Sequence, residues 1–157
     1  MANVVKISTT AISMFCATAV WSADYKVMRS LQLPSPAAET WHFIGDFCDI
    51  DDWHPNVNAC SLKIVEGSLV RVLMTDTGEE IVQKRIAQEA GLSYTYKTKT
   101  SYLPIENFTA TFSIEPLEGS LIAWSANFSS EDPTMEQVIV DEIEAGLSAI
   151  EGTFASR

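Results

Sequence analysis

An α+β fold, with one antiparallel sheet of seven strands and a long C-terminal helix on one face, is predicted by three features of the sequence. First, residues 59–129 hold six short runs of strand-like residues, most of them separated by glycine-containing turns. Second, Met135, Val138, Ile139, Ile143, Leu147, Ile150 and Phe154 recur at the three-four spacing of one helical face. Third, a strand and a helix precede this block, and 157 residues suit one domain with a single core.

Each element has a local cause. Tyr25–Leu33 alternates and stops at Pro34, giving strand 1. Ser35 as N-cap and Pro36 at the first helical position open helix 1, expected to run to about Asp46 and to bury Ala37, Trp41 and Ile44. The Asp-, Asn- and Pro-rich stretch FCDIDDWHPNVNAC reads as a short helical turn and a loop. Strand 2 is expected over Ala59–Glu66, strand 3 over Leu69–Thr75, strand 4 over Glu79–Gln88 and strand 5 over Leu92–Thr100. Strand 6 is expected over Asn107–Glu115 and strand 7 over Ser120–Ser129. The final helix is expected to be capped by Asp132 or Ser130, to open at Pro133 and to end near Phe154. At 1.5 Å per residue, roughly 20 residues span about 30 Å, enough to cross a sheet.

Composition narrows the function classes. Ten Lys and Arg against 21 Asp and Glu give a net charge of −11. That field repels polyphosphates and anionic lipid surfaces, so no nucleic-acid partner and no stable membrane insertion are expected. No stretch of 18 apolar residues is present either.

The N-terminus carries one cation, Lys6, then an uncharged stretch from Ile7 to Ala23. Ala17-Thr18-Ala19 supplies the small-x-small pattern of a signal-peptidase site, and Val20-Trp21-Ser22 a second option. Residues 1–23 are therefore read as a signal peptide and 24–157 as the single domain, in a periplasmic or secreted bacterial protein. The alternative is that this segment forms the first element of the fold. Phe15 before Cys16 is too large for a lipidated cysteine. Once the leader is removed, Cys48 and Cys60 remain, twelve positions apart. They are candidates for a disulfide, or for two buried thiols. His42 and His54 are the two histidines, without the spacing of a metal site. No metal or other cofactor is expected.

The element order resembles the helix-grip fold of the Bet v 1 and START superfamily, and within it the bacterial polyketide cyclase/dehydrase-like SRPBCC proteins. The resemblance covers about Tyr25 to Phe154 and rests on Asp52-Trp53-His54-Pro55, Gly67-x-Leu69-Val70-Arg71, Tyr94-x-Tyr96, Asn107-Phe108-Thr109-Ala110-Thr111, and Trp124-Ser125 with Phe128. It implies a sheet wrapped around the long helix, with a ligand-sized space between them. Such proteins usually carry Glu in strand 4 where Gln83 stands here, so an implied charge pair between strands 3 and 4 lacks its acid.

Alternation selects the residues facing that space. Phe108, Ala110, Phe112 and Ile114 share one face of strand 6; Ile122, Trp124, Ala126 and Phe128 share one face of strand 7. Leu92, Tyr94 and Tyr96 do so in strand 5, facing the helix stripe that includes Val138, Ile139 and Ile143. The tyrosine hydroxyls need partners, from a ligand or from each other. Arg71 either faces the cavity as an anchor for an acidic or phenolic group, or points outward toward Glu80. His54, next to Trp53, is either a general acid or base at the cavity mouth or a tie between the loop and the backbone. The expected ligand pocket is therefore Trp53, His54, Arg71, Tyr94, Tyr96, Phe108, Phe112, Trp124, Phe128, Ile139 and Ile143, with His54 the one catalytic candidate.

The leading expectation is an exported protein that binds a small apolar or aromatic molecule. A polyketide cyclase/dehydratase-like lyase or isomerase would need a convergent acid/base pair, which the sequence does not supply. An accessory protein acting through protein contacts would instead show a filled core and an exposed apolar patch.

Overall fold

The computed structural model describes residues 21–156. The leader expectation falls almost wholly on residues 1–20, outside the described residues.

The chain order is β1 (Ala23–Leu33), α1 (Ala37–Ile44), α2 (Ile50–Trp53), β2 (Val57–Val65), β3 (Ser68–Thr75), β4 (Glu80–Glu89), β5 (Ser93–Thr100), β6 (Glu106–Glu115), β7 (Ser120–Ser130) and α3 (Met135–Ala155). The seven strands form one antiparallel sheet in the order β1-β7-β6-β5-β4-β3-β2. This is the helix-grip α+β arrangement. Sequential strands from β2 to β7 pair through turns or, between β5 and β6, a five-residue loop; β1 lies beside β7. The β2–β3 turn is Glu66-Gly67, with φ of 51° and 72°, the left-handed pair required by a two-residue hairpin.

The alternation in β6 and β7 becomes burial. Ala110, Phe112 and Ile114 point inward with Ile122, Trp124, Ala126 and Phe128, while Thr109, Thr111 and Ser113 take the other face. From α3, Met135, Ile139, Ile143, Leu147 and Ile150 close the core, joined by Val140 and Gly146. Gly146 allows close approach: a Cβ there would lie 2.7 Å from His54 Cδ2 and 3.0 Å from the rings of Trp53 and Trp124.

Several boundaries differ from expectation. Helix α1 starts at Ala37 and ends at Ile44. Pro36 occupies the N-cap, its carbonyl accepting the Thr40 amide, so Ser35 does not cap. Thr40 and Ile44 are the fully buried residues of α1, with Ala37 and Trp41 half-buried. The Thr40 hydroxyl is satisfied by Ser120 Oγ at 3.2 Å. Helix α3 begins at Met135 because Asp132 Oδ1 accepts both the amide and the hydroxyl of Thr134, forming a turn ahead of the helix instead of capping it. Leu92 lies in the β4–β5 turn and is exposed, so it does not share the face of Tyr94 and Tyr96.

Cys48 and Cys60 form a disulfide with Cα atoms 5.5 Å apart. It holds the loop ahead of α2 against β2, beside a hydrogen bond from the Cys60 amide to Asp51 Oδ2 (2.8 Å).

Candidate functional site

A cavity of about 320 Å³ lies between the inner faces of β3–β5 and α3. That is at the small end of the roughly 300–1,000 Å³ typical of small-molecule sites. Leu73, Ile81, Phe108, Trp124, Ile139 and Ile143 supply apolar wall. The polar wall is a row crossing three strands. Arg71 of β3 pairs in register with Gln83 of β4, and Gln83 with Thr98 of β5.

Arg71 is fully buried. Its Nε donates to Gln83 Oε1 (2.8 Å) and its Nη1 to the Phe47 carbonyl (2.6 Å). The guanidinium carbon sits 4.3 Å from the Phe47 ring centre and 4.7 Å from that of Tyr96. Nη2 has no hydrogen-bond partner, and among the described residues no carboxylate forms an ion pair with Arg71. Of the two orientations open in the sequence, the inward one is observed, and the strand neighbour is Gln83, not Glu80. Because Nε can only donate, the Gln83 carbonyl must face it, so the Gln83 amide nitrogen is left to donate toward Thr98 Oγ1 (3.4 Å).

His54 is buried, with both ring nitrogens engaged. Nε2 lies 3.0 Å from the Glu142 carbonyl and so carries the proton, while Nδ1 accepts the Asn56 amide at 3.3 Å. Burial holds its pKa below 6.5, outweighing the neighbouring Glu142. His54 thus ties the loop after α2 to α3. Asn56 Nδ2 donates to both oxygens of the Glu142 carboxylate at 3.0 Å. Burial also raises the tyrosines: Tyr94 to about 12 despite the nearby Arg71 cation, and Tyr96 in the same direction. Tyr96 OH accepts from Trp124 Nε1 at 3.1 Å. Both phenols are therefore neutral hydrogen-bonding groups near neutral pH.

Of the pocket residues expected from sequence, His54, Arg71, Tyr96, Phe108, Trp124, Ile139 and Ile143 line the cavity. Trp53, Tyr94, Phe112 and Phe128 are placed beside it, in the aromatic core. Trp53 stacks on Phe112 at 5.7 Å, Phe112 meets Trp124 edge-on at 5.4 Å, Tyr94 meets Phe47 edge-on at 5.3 Å, and Phe128 stacks on Tyr25 at 5.2 Å. Trp41 also packs on Phe112 and Tyr94, so α1 fills the space those two would otherwise have faced, while Tyr25 of β1 covers Phe128. Gln83 and Thr98 were not among the expected residues, nor was the mouth, where Asp76, Tyr102 and Glu142 converge from the β3–β4 turn, the β5–β6 loop and α3. Tyr102 has its pKa raised by partial burial and then by Glu142, Glu79 and Asp76, a sign of how acidic this rim is.

The sequence pattern of the family described as polyketide cyclase/dehydrase and lipid transport matches residues 24–154. The chain belongs to this family. Solved structures share its fold. A protein from Thermobifida fusca is 28% identical, with a TM-score of 0.73 over 83% of this chain and 93% of its own. An uncharacterized protein from Bacillus thuringiensis is 24% identical, with a TM-score of 0.74 over 85% and 99%. The Zhui aromatase/cyclase from a Streptomyces species shares the fold at 15% identity, with a TM-score of 0.68 over 86% and 96%. No curated protein matches the chain.

Proposed function

We propose that this member of the polyketide cyclase/dehydrase and lipid transport family is an exported binding protein that holds one small apolar or aromatic molecule between β3–β5 and α3. The observation that carries the reading is the cavity itself: apolar walls from both layers and a few convergent polar groups. Binding is favoured over turnover because the histidine and tyrosines expected as acid or base are engaged within the protein or lie outside the cavity. His54 has both nitrogens bonded, the Tyr96 hydroxyl accepts from Trp124 Nε1, and Tyr94 lies outside the cavity lining. Export is supported by the leader-like N-terminus and by the Cys48–Cys60 disulfide, a bond that persists in oxidising compartments. The intact mass of exported protein is expected to lack roughly 19–23 N-terminal residues, and retention of Met1 would refute export through this leader.

The test of binding is an amide NMR titration with N-phenyl-1-naphthylamine, a neutral aromatic probe. Saturable shifts are expected at Leu73, Thr98, Leu103, Ile139 and Ile143. Shifts confined to the exposed apolar residues of the β2 edge, Leu62 and Ile64, would overturn the cavity reading and favour action through protein contacts.

A further inference from the structure

The polar row in the cavity wall is unbalanced. Arg71 is fully buried and brings a full positive charge, yet its partners are neutral: an amide oxygen, a backbone carbonyl, and the rings of Phe47, Tyr94 and Tyr96, the last two bringing neutral phenol groups near the cation. Its Nη2 is buried without a partner, the kind of atom a folded protein seldom leaves unmatched. The neighbouring position could have supplied the acid, since Glu and Gln have nearly the same shape, but Gln83 stands there. Gln83 directs its carbonyl to Arg71 and its amide hydrogens toward Thr98, which leaves the Thr98 hydroxyl free to donate in turn. The row therefore offers donors and a cation, and no anion.

We infer that the ligand carries a single anionic group, a carboxylate, sulfonate or phenolate, which docks on the Arg71–Gln83–Thr98 row and supplies the missing counter-charge. This rests on the small-molecule reading above and names the ligand class for the same cavity. A planar guanidinium with an unpartnered Nη2 suits a two-oxygen acceptor, and such charge-assisted bonds are among the stronger hydrogen bonds. Away from that row and from the polar rim at the mouth, the wall is Leu73, Ile81, Phe108, Trp124, Ile139 and Ile143, so the remainder of the ligand is a compact apolar body. One anionic group, not several, is implied: the chain carries −11, and Asp76, Glu79 and Glu142 stand around the mouth, so a polyanion would be repelled at entry.

The test is a paired titration of the mature protein with two probes that share one aromatic skeleton. 1-Anilinonaphthalene-8-sulfonate carries a sulfonate; N-phenyl-1-naphthylamine lacks it. Wild-type protein is expected to bind the sulfonate at least about tenfold more tightly, with each probe displacing the other. Gln83→Glu fills the counter-ion position from within. It is expected to weaken the sulfonate about tenfold or more relative to the neutral probe. Arg71→Gln, checked for folding by circular dichroism, is expected to remove the same preference. Association of the sulfonate should quicken with added salt as the acidic rim is screened. If the neutral probe binds in the cavity but the sulfonate gains nothing, or Gln83→Glu is indifferent to both, the anionic class is wrong and the cavity reading stands. Sulfonate binding that the neutral probe cannot displace lies at another surface and also refutes the inference. If neither probe binds, both readings fall together.

Discussion

Replacing Gly146 by alanine tests how closely α3 is seated on the sheet, because two effects of opposite sign meet at one atom. Alanine in place of a helix-interior glycine should stabilise by about 0.5–1 kcal/mol. At Gly146 the added Cβ would lie 2.7 Å from His54 Cδ2 and 3.0 Å from Trp53 Cζ3 and Trp124 Cζ3. None of the three rings can yield easily. Trp53 is stacked on Phe112, Trp124 donates to Tyr96 OH, and His54 is held at both nitrogens. Overpacking of this kind costs typically about 1–3 kcal/mol. The net expectation is a loss of up to about 2.5 kcal/mol, the difference between the two terms. Gly152 is the internal control: it lies in the same helix, with nothing within 4 Å of its added Cβ. Gly152→Ala should therefore stabilise by about 0.5–1 kcal/mol. Urea unfolding followed by circular dichroism reads both, as midpoint shifts of opposite sign at unchanged slope. Two gains of similar size would refute the close seating of α3 and, with it, the shape of the cavity.

Other expectations follow from the same groups. Gln83→Glu should raise the melting free energy of the ligand-free protein by about 1–2 kcal/mol, since a carboxylate replaces a neutral acceptor beside an already buried guanidinium; a loss measured by thermal unfolding would contradict this. His54 has a folded pKa below 6.5, so the unfolded chain takes up its proton first. Stability present above 6.5 should drain as pH falls from there toward the folded value, and His54→Gln should flatten that slope in denaturant midpoints measured across the range. The Cys48–Cys60 bridge closes a twelve-residue separation. Replacing both cysteines with serine should cost about 3 kcal/mol in the loop-entropy model, and denatured, unreduced mature protein should show no thiol to a labelling reagent.

The architecture was legible where one face is buried and the other wet. In β6 and β7 the period-2 pattern translates directly into burial, and the α3 stripe into the inner face of the helix. The orientation of Arg71 was not legible, because β3 is buried on both sides at that point: Val70 and Arg71 are consecutive and both inaccessible, so alternation assigns neither a face. The Arg71–Gln83–Thr98 row depends on register across three strands, with an irregularity between Val82 and Gln83, and strand patterning carries no such information. Phe112 and Tyr94 are covered by α1 and the loop after it, and Phe128 by Tyr25 of β1. Trp41 and Phe47 pack onto Phe112 and Tyr94, and a segment read as loop and short helix gave no sign of filling that end of the sheet. His54 offered both roles in sequence; its tie to the Glu142 carbonyl depends on where α3 passes.

The central claim is that the space between the sheet and α3 holds a small molecule. Native mass spectrometry of protein purified gently from its own source tests it most directly. The account predicts a population heavier than the mature polypeptide by one small organic molecule, released on denaturation and detected as a monoanion. A bare polypeptide mass throughout, under conditions gentle enough to keep the fold, would contradict it.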